Sequence, residues 1–219
     1  MDAATVEQRA ARNRNESLRR QADKFAERRS QLANAALVTL SELGYARTSL
    51  REIAQNSEFS HGVLHYYFTD KVDLITHCVK QYKAECVKRY GEIVSTSETA
   101  AELRHGFAVG LATTMCEDAS MHRLWYDLRS QSLFEESFRS DVHDIDVSLE
   151  QMIWRIVLRY AELSGSAPAI TSPVAYAVFD GLFQHALQRF IGGDVTAGHE
   201  LTANVERLVD SIVFEAPPR

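Results

Sequence analysis

The chain has 219 residues and a mass of 24.7 kDa, with 45% hydrophobic and 25% charged side chains. This is the composition of an ordinary globular protein and excludes the disordered, fibrous and membrane-spanning classes. The net charge of −6 argues against a polyanionic partner for the chain as a whole. It is unevenly spread, however: residues 1–90 carry 15 basic and 11 acidic side chains, residues 91–219 carry 9 and 19, and Lys88 is the last lysine. A basic front ahead of an acidic back directs any search for nucleic-acid contacts to the N-terminal part.

Residues 1–26 are rich in Arg, Glu, Gln and Ala and nearly lack large apolar groups. They read as a basic, solvated extension, either a disordered tail or a frayed continuation of the next helix. Its arginines, Arg9, Arg12, Arg14, Arg19 and Arg20, are of the kind that a flexible arm lays into a minor groove. From Glu27, the residues Leu32, Ala36, Leu40 and Leu43 recur at helical spacing and predict a first core helix that stops at Gly44. Ser49-Leu50-Arg51-Glu52 is a capping box, in which a hydroxyl and a carboxylate satisfy orphan N–H groups. It opens a short helix through Ile53 and Ala54 to about Asn56. Ser57-Glu58-Phe59 breaks the run, and Ser60 is a fit N-cap for a second short helix through Tyr67, with Gly62 just inside it. Thr69 or Asp70 then caps a long helix with Ile75, Cys78, Val79, Tyr82, Cys86, Tyr90 and Ile93 at helical spacing.

Further helices are predicted near residues 99–117, 119–131, 141–163, 173–191 and 197–214. Ser172 is expected to cap the fourth of these, with Pro173 in its first position, and Gly192-Gly193 to end it. The first of only 4 prolines is Pro168, and the alternation and Asn-Gly turns of strands are missing, so the fold class is all-α. Cys78, Cys86 and Cys116 are odd in number and form no C-x-x-C pair, which makes a secreted disulfide framework improbable and free thiols the expectation. The N-terminus has no apolar leader and no stretch reaches the roughly 18 apolar residues of a membrane span. A cytoplasmic protein without membrane contact is expected.

Two short helices joined by a tight turn, between a longer helix and a long one, are the layout of a helix-turn-helix that sets its second helix in the major groove. Leu64 and Phe68 should face the core with Ile53 and Ala54, leaving His61, Gly62, His65 and Tyr66 on the opposite face. A glycine there lets the backbone approach DNA, and the imidazole and phenol groups bond phosphates or base edges. Lys71 offers its ammonium and a helix N-terminus to a phosphate.

Residues 41–74 resemble the N-terminal domain of the tetracycline-repressor (TetR) family of transcriptional regulators. Matching positions are Gly44, Tyr45, Thr48, Ser49, Ile53, Ala54, Ser60, Gly62, Leu64, Tyr66, Phe68, Lys71 and Leu74. Glu58 stands where the family usually has a turn glycine, at a cost of roughly 1 kcal/mol if that residue is left-handed. His65 and Tyr67 replace the commoner Tyr and His. The resemblance implies that Thr48, Ser49 and Lys71 hold phosphates, that Arg51, His61 and Val63 meet bases, and that His65 and Tyr66 touch backbone or base edges, with Ser60 and Gly62 at the head of the recognition helix. It divides the chain into an extension (1–26), a helix-turn-helix domain (27–72) and a helical effector-binding and dimerisation domain (73–219).

In the resembled family the C-terminal domain binds a small ligand between its middle helices and dimerises through its last two long helices. Phe179, Gly181, Leu182 and Leu208 are accordingly expected at a homodimer interface. Asp180-Gly181-Leu182 and Leu124-Trp125-Tyr126 are similar to the branch containing betaine-synthesis regulators. Polar or adaptable groups among aromatics on the middle helices, namely Met115, Met121, Trp125, Arg129, Met152 and His185, are the ligand-site candidates. A dimer also has a physical rationale, since one short helix reads few base pairs and two copies about 34–36 Å apart read a palindromic operator on double-stranded DNA.

The expected function is therefore a ligand-responsive dimeric repressor, released from its operator by a small molecule and needing no cofactor or metal. The alternatives are a DNA-binding regulator without an effector and a helical enzyme. For the enzyme, Glu135-Glu136 or the cluster Asp141, His143, Asp144 and Asp146 comes nearest to a site. Acidic residues at a helix start, where they complement the dipole, explain that cluster without catalysis.

Overall fold

The computed structural model describes residues 3–43 and 49–215. Among the described residues there are nine α-helices and one short antiparallel strand pair. None of these helices is long and apolar enough to cross a membrane. The chain divides into two compact units, residues 1–78 and 79–219.

The first unit holds α1 (Ala3–Leu43), α2 (Leu50–Gln55), α3 (His61–Tyr67) and the start of α4 (Lys71–Thr96). The N-terminal extension is not a tail: it is continuous with the first core helix, giving 41 residues of α1. Ala, Arg, Glu and Gln are strong helix formers, so the backbone continues as helix although there is no apolar stripe to bury. Residues 14–28 are exposed accordingly, and burial begins at Leu32, Ala33, Ala36 and Leu40. These close on Ile53, Leu64, Phe68, Leu74 and Ile75 in one apolar core. Fully burying each large side chain contributes about 2 kcal/mol. Gly44, Tyr45 and Thr48 lie outside the described residues.

The caps form as the sequence dictates. The Glu52 N–H donates to Ser49 Oγ at 3.2 Å, and the Ser49 N–H to Glu52 Oε2 at 2.7 Å. Ser60 Oγ accepts from the Val63 N–H at 3.3 Å. Of the two candidates ahead of α4, Asp70 is the cap, accepting from the Asp73 N–H at 2.9 Å, while Asp73 accepts from the Thr69 N–H at 3.0 Å. The turn between α2 and α3 dispenses with glycine. Asn56 closes α2 through its side-chain amide on the Glu52 carbonyl at 2.9 Å, and Ser57 Oγ accepts from the Phe59 N–H at 3.3 Å. No described residue other than glycine has a positive φ, so Glu58 is not left-handed and the cost attached to it does not arise.

The second unit holds the remainder of α4, α5 (Ala100–Glu117), α6 (Ala119–Gln131), a 3-10 turn at Glu136–Phe138, α7 (Arg139–Ser164), α8 (Ser172–Ile191) and α9 (Ala197–Ser211). α5 packs on α9, α7 and α8, and α8 packs on α7 and α9. Phe107 sits edge-on between Tyr90 and Phe179, with centroids 5.7 and 5.4 Å away.

Two expectations are corrected here. Ser172 does not cap α8: Thr171 holds that position, and the Ser172 hydroxyl donates to Glu150 at 2.7 Å. The last helix does not reach residue 214. It stops at Ser211, and β2 (Val213–Glu215) pairs antiparallel with β1 (Ser166–Pro168). Val213 and Phe214 prefer extended backbone, and the segment after Gly165 offers the hydrogen-bonding edge that a final helical turn would lack.

Candidate functional site

The surface of the helix-turn-helix follows from which side of α3 is buried. Leu64 and Phe68, each 1% exposed, anchor α3 to the core, so the i+1 and i−3 positions face solvent. His61, Gly62, His65 and Tyr66 are exposed, Val63 is half-buried, and Ser60 stands exposed at the helix head. Ser49 and Arg51 from α2, His61 and His65 from α3 and Lys71 from α4 line one shallow concavity. The structure thus brings together five of the ten predicted DNA-contacting residues. Tyr66 lies outside that concavity, 72% exposed, with its ring edge-on to Phe25 of α1 and to Tyr67 at 6.0 and 5.0 Å. Thr48 is outside the described residues. A Cβ built on Gly62 would meet nothing within 4 Å, so internal packing does not demand glycine there.

The second unit encloses a cavity of about 60 Å³, several times what one water needs. Its walls are Lys83, Cys86 and Tyr90 of α4, Leu111 of α5, His122, Trp125 and Tyr126 of α6, Leu149, Met152 and Ile153 of α7, and Tyr176, Phe179, Asp180 and Phe183 of α8. Lys83 is 7% exposed. Its ammonium donates to His122 Nδ1 at 3.3 Å and lies 5.5 Å from the Trp125 ring and 5.6 Å from the Tyr82 ring.

Tyr82 donates its hydroxyl proton to Asp118 at 3.0 Å, and its oxygen also bonds His122 Nε2 at 3.0 Å. The His122 ring also bonds the backbone of Thr114, so both of its nitrogens are engaged within the wall. Burial first, then the Lys83 charge, push the His122 pKa down to about 2, and burial pulls that of Lys83 down to about 8.

On α6 and α8, Asp180 accepts from Arg129 at 2.5 Å and from the Tyr126 hydroxyl at 2.9 Å. Asp146 accepts from the Tyr176 hydroxyl at 2.5 Å and lies 3.4 Å from Arg129. Both carboxylates are therefore engaged, whereas Lys83 has no carboxylate within ion-pair reach among the described residues.

Of the ligand-site candidates, Trp125 and Met152 line the cavity and Arg129 braces its Asp180 wall. Met115 is packed near Gly198 of α9, Met121 is buried away from the cavity, and His185 is exposed on α8. Of the four residues expected at a dimer interface, Phe179 is turned inward as part of the cavity wall. Gly181 is exposed, and Leu182 and Leu208 are half-buried. Asp141 and Asp144 pair with Lys80, which accounts for the acidic start of α7 without a site.

A family model described as "Bacterial regulatory proteins, tetR family" matches residues 32–78, the span that forms the core of the first unit. The helix-turn-helix span of this chain is thus similar to the DNA-binding domain of the TetR family of transcriptional regulators. It is 26% identical over 172 residues to the HTH-type transcriptional regulator BetI of Paraburkholderia phymatum, covering 76% of this chain and 83% of that protein. BetI of Burkholderia mallei is 29% identical over 116 residues, 51% of this chain and 58% of that protein.

Among solved structures, a TetR-family regulator from Rhodococcus sp. superposes with a TM-score of 0.69 at 15% identity, covering 85% of this chain and 98% of that one. A regulator from Saccharomonospora viridis in complex with choline gives 0.67 at 15% identity over 87% and 100%. FadR of Bacillus subtilis in complex with stearoyl-CoA gives 0.67 at 17% identity over 84% and 98%. These structural likenesses show the fold, and the two sequence relatives are themselves described as HTH-type transcriptional regulators.

The polar content of the cavity was the part hardest to read from sequence. Lys83 follows Val79 by four residues and precedes Cys86 and Tyr90 by three and seven, the spacing of the buried stripe itself. A lysine on the apolar face of a helix was the available signal. His122, between the buried Met121 and Leu124, carried the same one.

Proposed function

We propose that this TetR-family regulator is a ligand-responsive repressor that binds a palindromic operator as a homodimer and leaves it when a small molecule fills the cavity of the second unit. The observation that carries the DNA reading is the shared concavity of Ser49, Arg51, His61, His65 and Lys71. A hydroxyl, a guanidinium, two imidazoles and an ammonium are set at the heads of α2 and α4 and along α3, the groups that position a protein on phosphates and meet base edges. Two such helices one DNA turn apart would supply the specificity that a single seven-residue helix lacks.

Ligand control is supported by α4, which carries Lys71 in the concavity and Lys83, Cys86 and Tyr90 in the cavity wall. A ligand that displaces this helix alters how well paired recognition helices meet adjacent grooves. The absence of catalytic activity and a location in the cytoplasm belong to this same reading.

The test is fluorescence anisotropy on DNA from upstream of the protein's own coding region. The wild type should bind this DNA with sequence preference. Tyr66→Ala should lose the preference, and Lys71→Ala should bind more weakly with a shallower salt dependence. Equal affinity for operator and scrambled DNA would reject the proposal.

A further inference from the structure

We propose that the cavity of the second unit takes a small organic carboxylate, with its negative group on Lys83 Nζ and its apolar body against Trp125, Phe179 and Phe183. The inference rests on the reading of this cavity as the effector site and names the chemical class of the effector. Lys83 is the group that demands a partner. It is 7% exposed, lines the cavity, and spends one of its three N–H donors on His122. A desolvated ammonium with open donors is costly until an anion meets it, and bidentate or shared hydrogen bonding to a carboxylate satisfies both at once. His122 reinforces the choice, because its ring, buried against Tyr82 and beside the Lys83 ammonium, is held neutral and adds no competing positive charge.

A cationic ligand meets the opposite arrangement. The faces of Trp125 and Tyr82 already hold the Lys83 ammonium at 5.5 and 5.6 Å, and the carboxylate of Asp180 is held by Arg129 and Tyr126. A second cation would stand beside a buried first one with no free carboxylate to offset it. The remaining walls are apolar or aromatic, which suits a short aliphatic or aryl body, and the small volume excludes a long one.

The test uses the full chain and a panel of monocarboxylates from acetate to octanoate, with phenylacetate, each beside its primary amide, and with choline as the cation. Thermal shift and tryptophan-fluorescence titration report binding. At least one carboxylate is expected to bind at least tenfold more tightly than its amide, choline is expected to give no shift, and the preference should vanish in Lys83→Met and in Lys83→Gln. Either variant suffices if the other fails to fold. The proposal is overturned if no carboxylate in the series binds, if an amide or choline binds as well, or if the preference survives both substitutions. Following DNA release in the same titrations separates the two claims. A carboxylate that binds through Lys83 without releasing DNA leaves this inference standing and removes ligand control. Release by choline or an amide, unchanged in Lys83→Met, does the reverse.

Discussion

Replacing Lys83 by Met should make the protein more stable. An ordinary lysine titrates near 10.5 and this one at about 8, because burial penalises its charged form more than Cys86, Asp180 and Asp146 compensate. The gap corresponds to about 3 kcal/mol of unfavourable free energy carried by the folded state at neutral pH. Methionine fills the same space without the charge, while loss of the bond to His122 takes back about 1 kcal/mol. A net gain of about 1–3 kcal/mol at pH 7 is expected.

The pH dependence follows from the sign of the shift. Between about pH 8 and 10.5 the unfolded chain holds a proton that the folded chain has released, so the penalty is complete below pH 8 and fades as pH rises to 10.5. Cys86, Tyr82 and Tyr90, whose buried acids are pushed upward, destabilise the fold at high pH in both proteins. His122, Asp180, Asp146 and Arg129, the other groups that act on Lys83, are likewise common to both. The difference between wild type and variant therefore reports the lysine together with its effect on Cys86 and His122. Urea denaturation read by Trp125 and Trp154 fluorescence at pH 6 to 10 measures it. A variant less stable than wild type at pH 7, or an advantage that does not shrink toward pH 10, would refute the reasoning.

His122 is neutral in the folded state down to about pH 2, whereas an unfolded histidine gains its proton near 6.5, so stability should fall by about 1.4 kcal/mol for each pH unit below 6.5. His122→Gln removes that slope, which paired denaturation curves at pH 7 and pH 5 would show. Gly62→Ala should raise the stability of the first unit by about 0.5–1 kcal/mol, because helix propensity improves and a Cβ there meets nothing. The same substitution should weaken operator binding if the backbone of α3 approaches DNA closely, and unchanged affinity would exclude that approach. Arg51→Ala, at an exposed position, should leave the melting temperature within a degree or two and cost about 1–3 kcal/mol of operator affinity, measured by anisotropy at two salt concentrations.

The caps and core of the first unit were legible because their signals are local. Ser49 with Glu52, Ser60, and Leu64 with Phe68 each act within one or two helical turns. The extension was ambiguous for a physical reason: Arg, Glu, Gln and Ala favour helix without giving it a face to bury, and composition alone does not say which tendency prevails. Glu58 misled in another way, since a position usually held by glycine suggested a left-handed residue, and Ser57 and Asn56 shape the turn without one. The strand pair at 166–168 and 213–215 joins segments far apart in sequence, which no local pattern encodes. In the cavity, Trp125 and Met152 were legible as large groups at helical spacing. Met115 and His185 carried the same pattern, and only packing separates the wall of a cavity from the core or the surface.

The central claim is that two copies of α3 read a symmetric site. Selection of binding sites by the wild-type protein from a random DNA pool tests it most directly. The expected result is enrichment of an inverted repeat with half-site centres about one helical turn apart, lost when His61 and Tyr66 are both replaced by alanine. Failure to enrich any inverted repeat, or the same enrichment in the double variant, would contradict it.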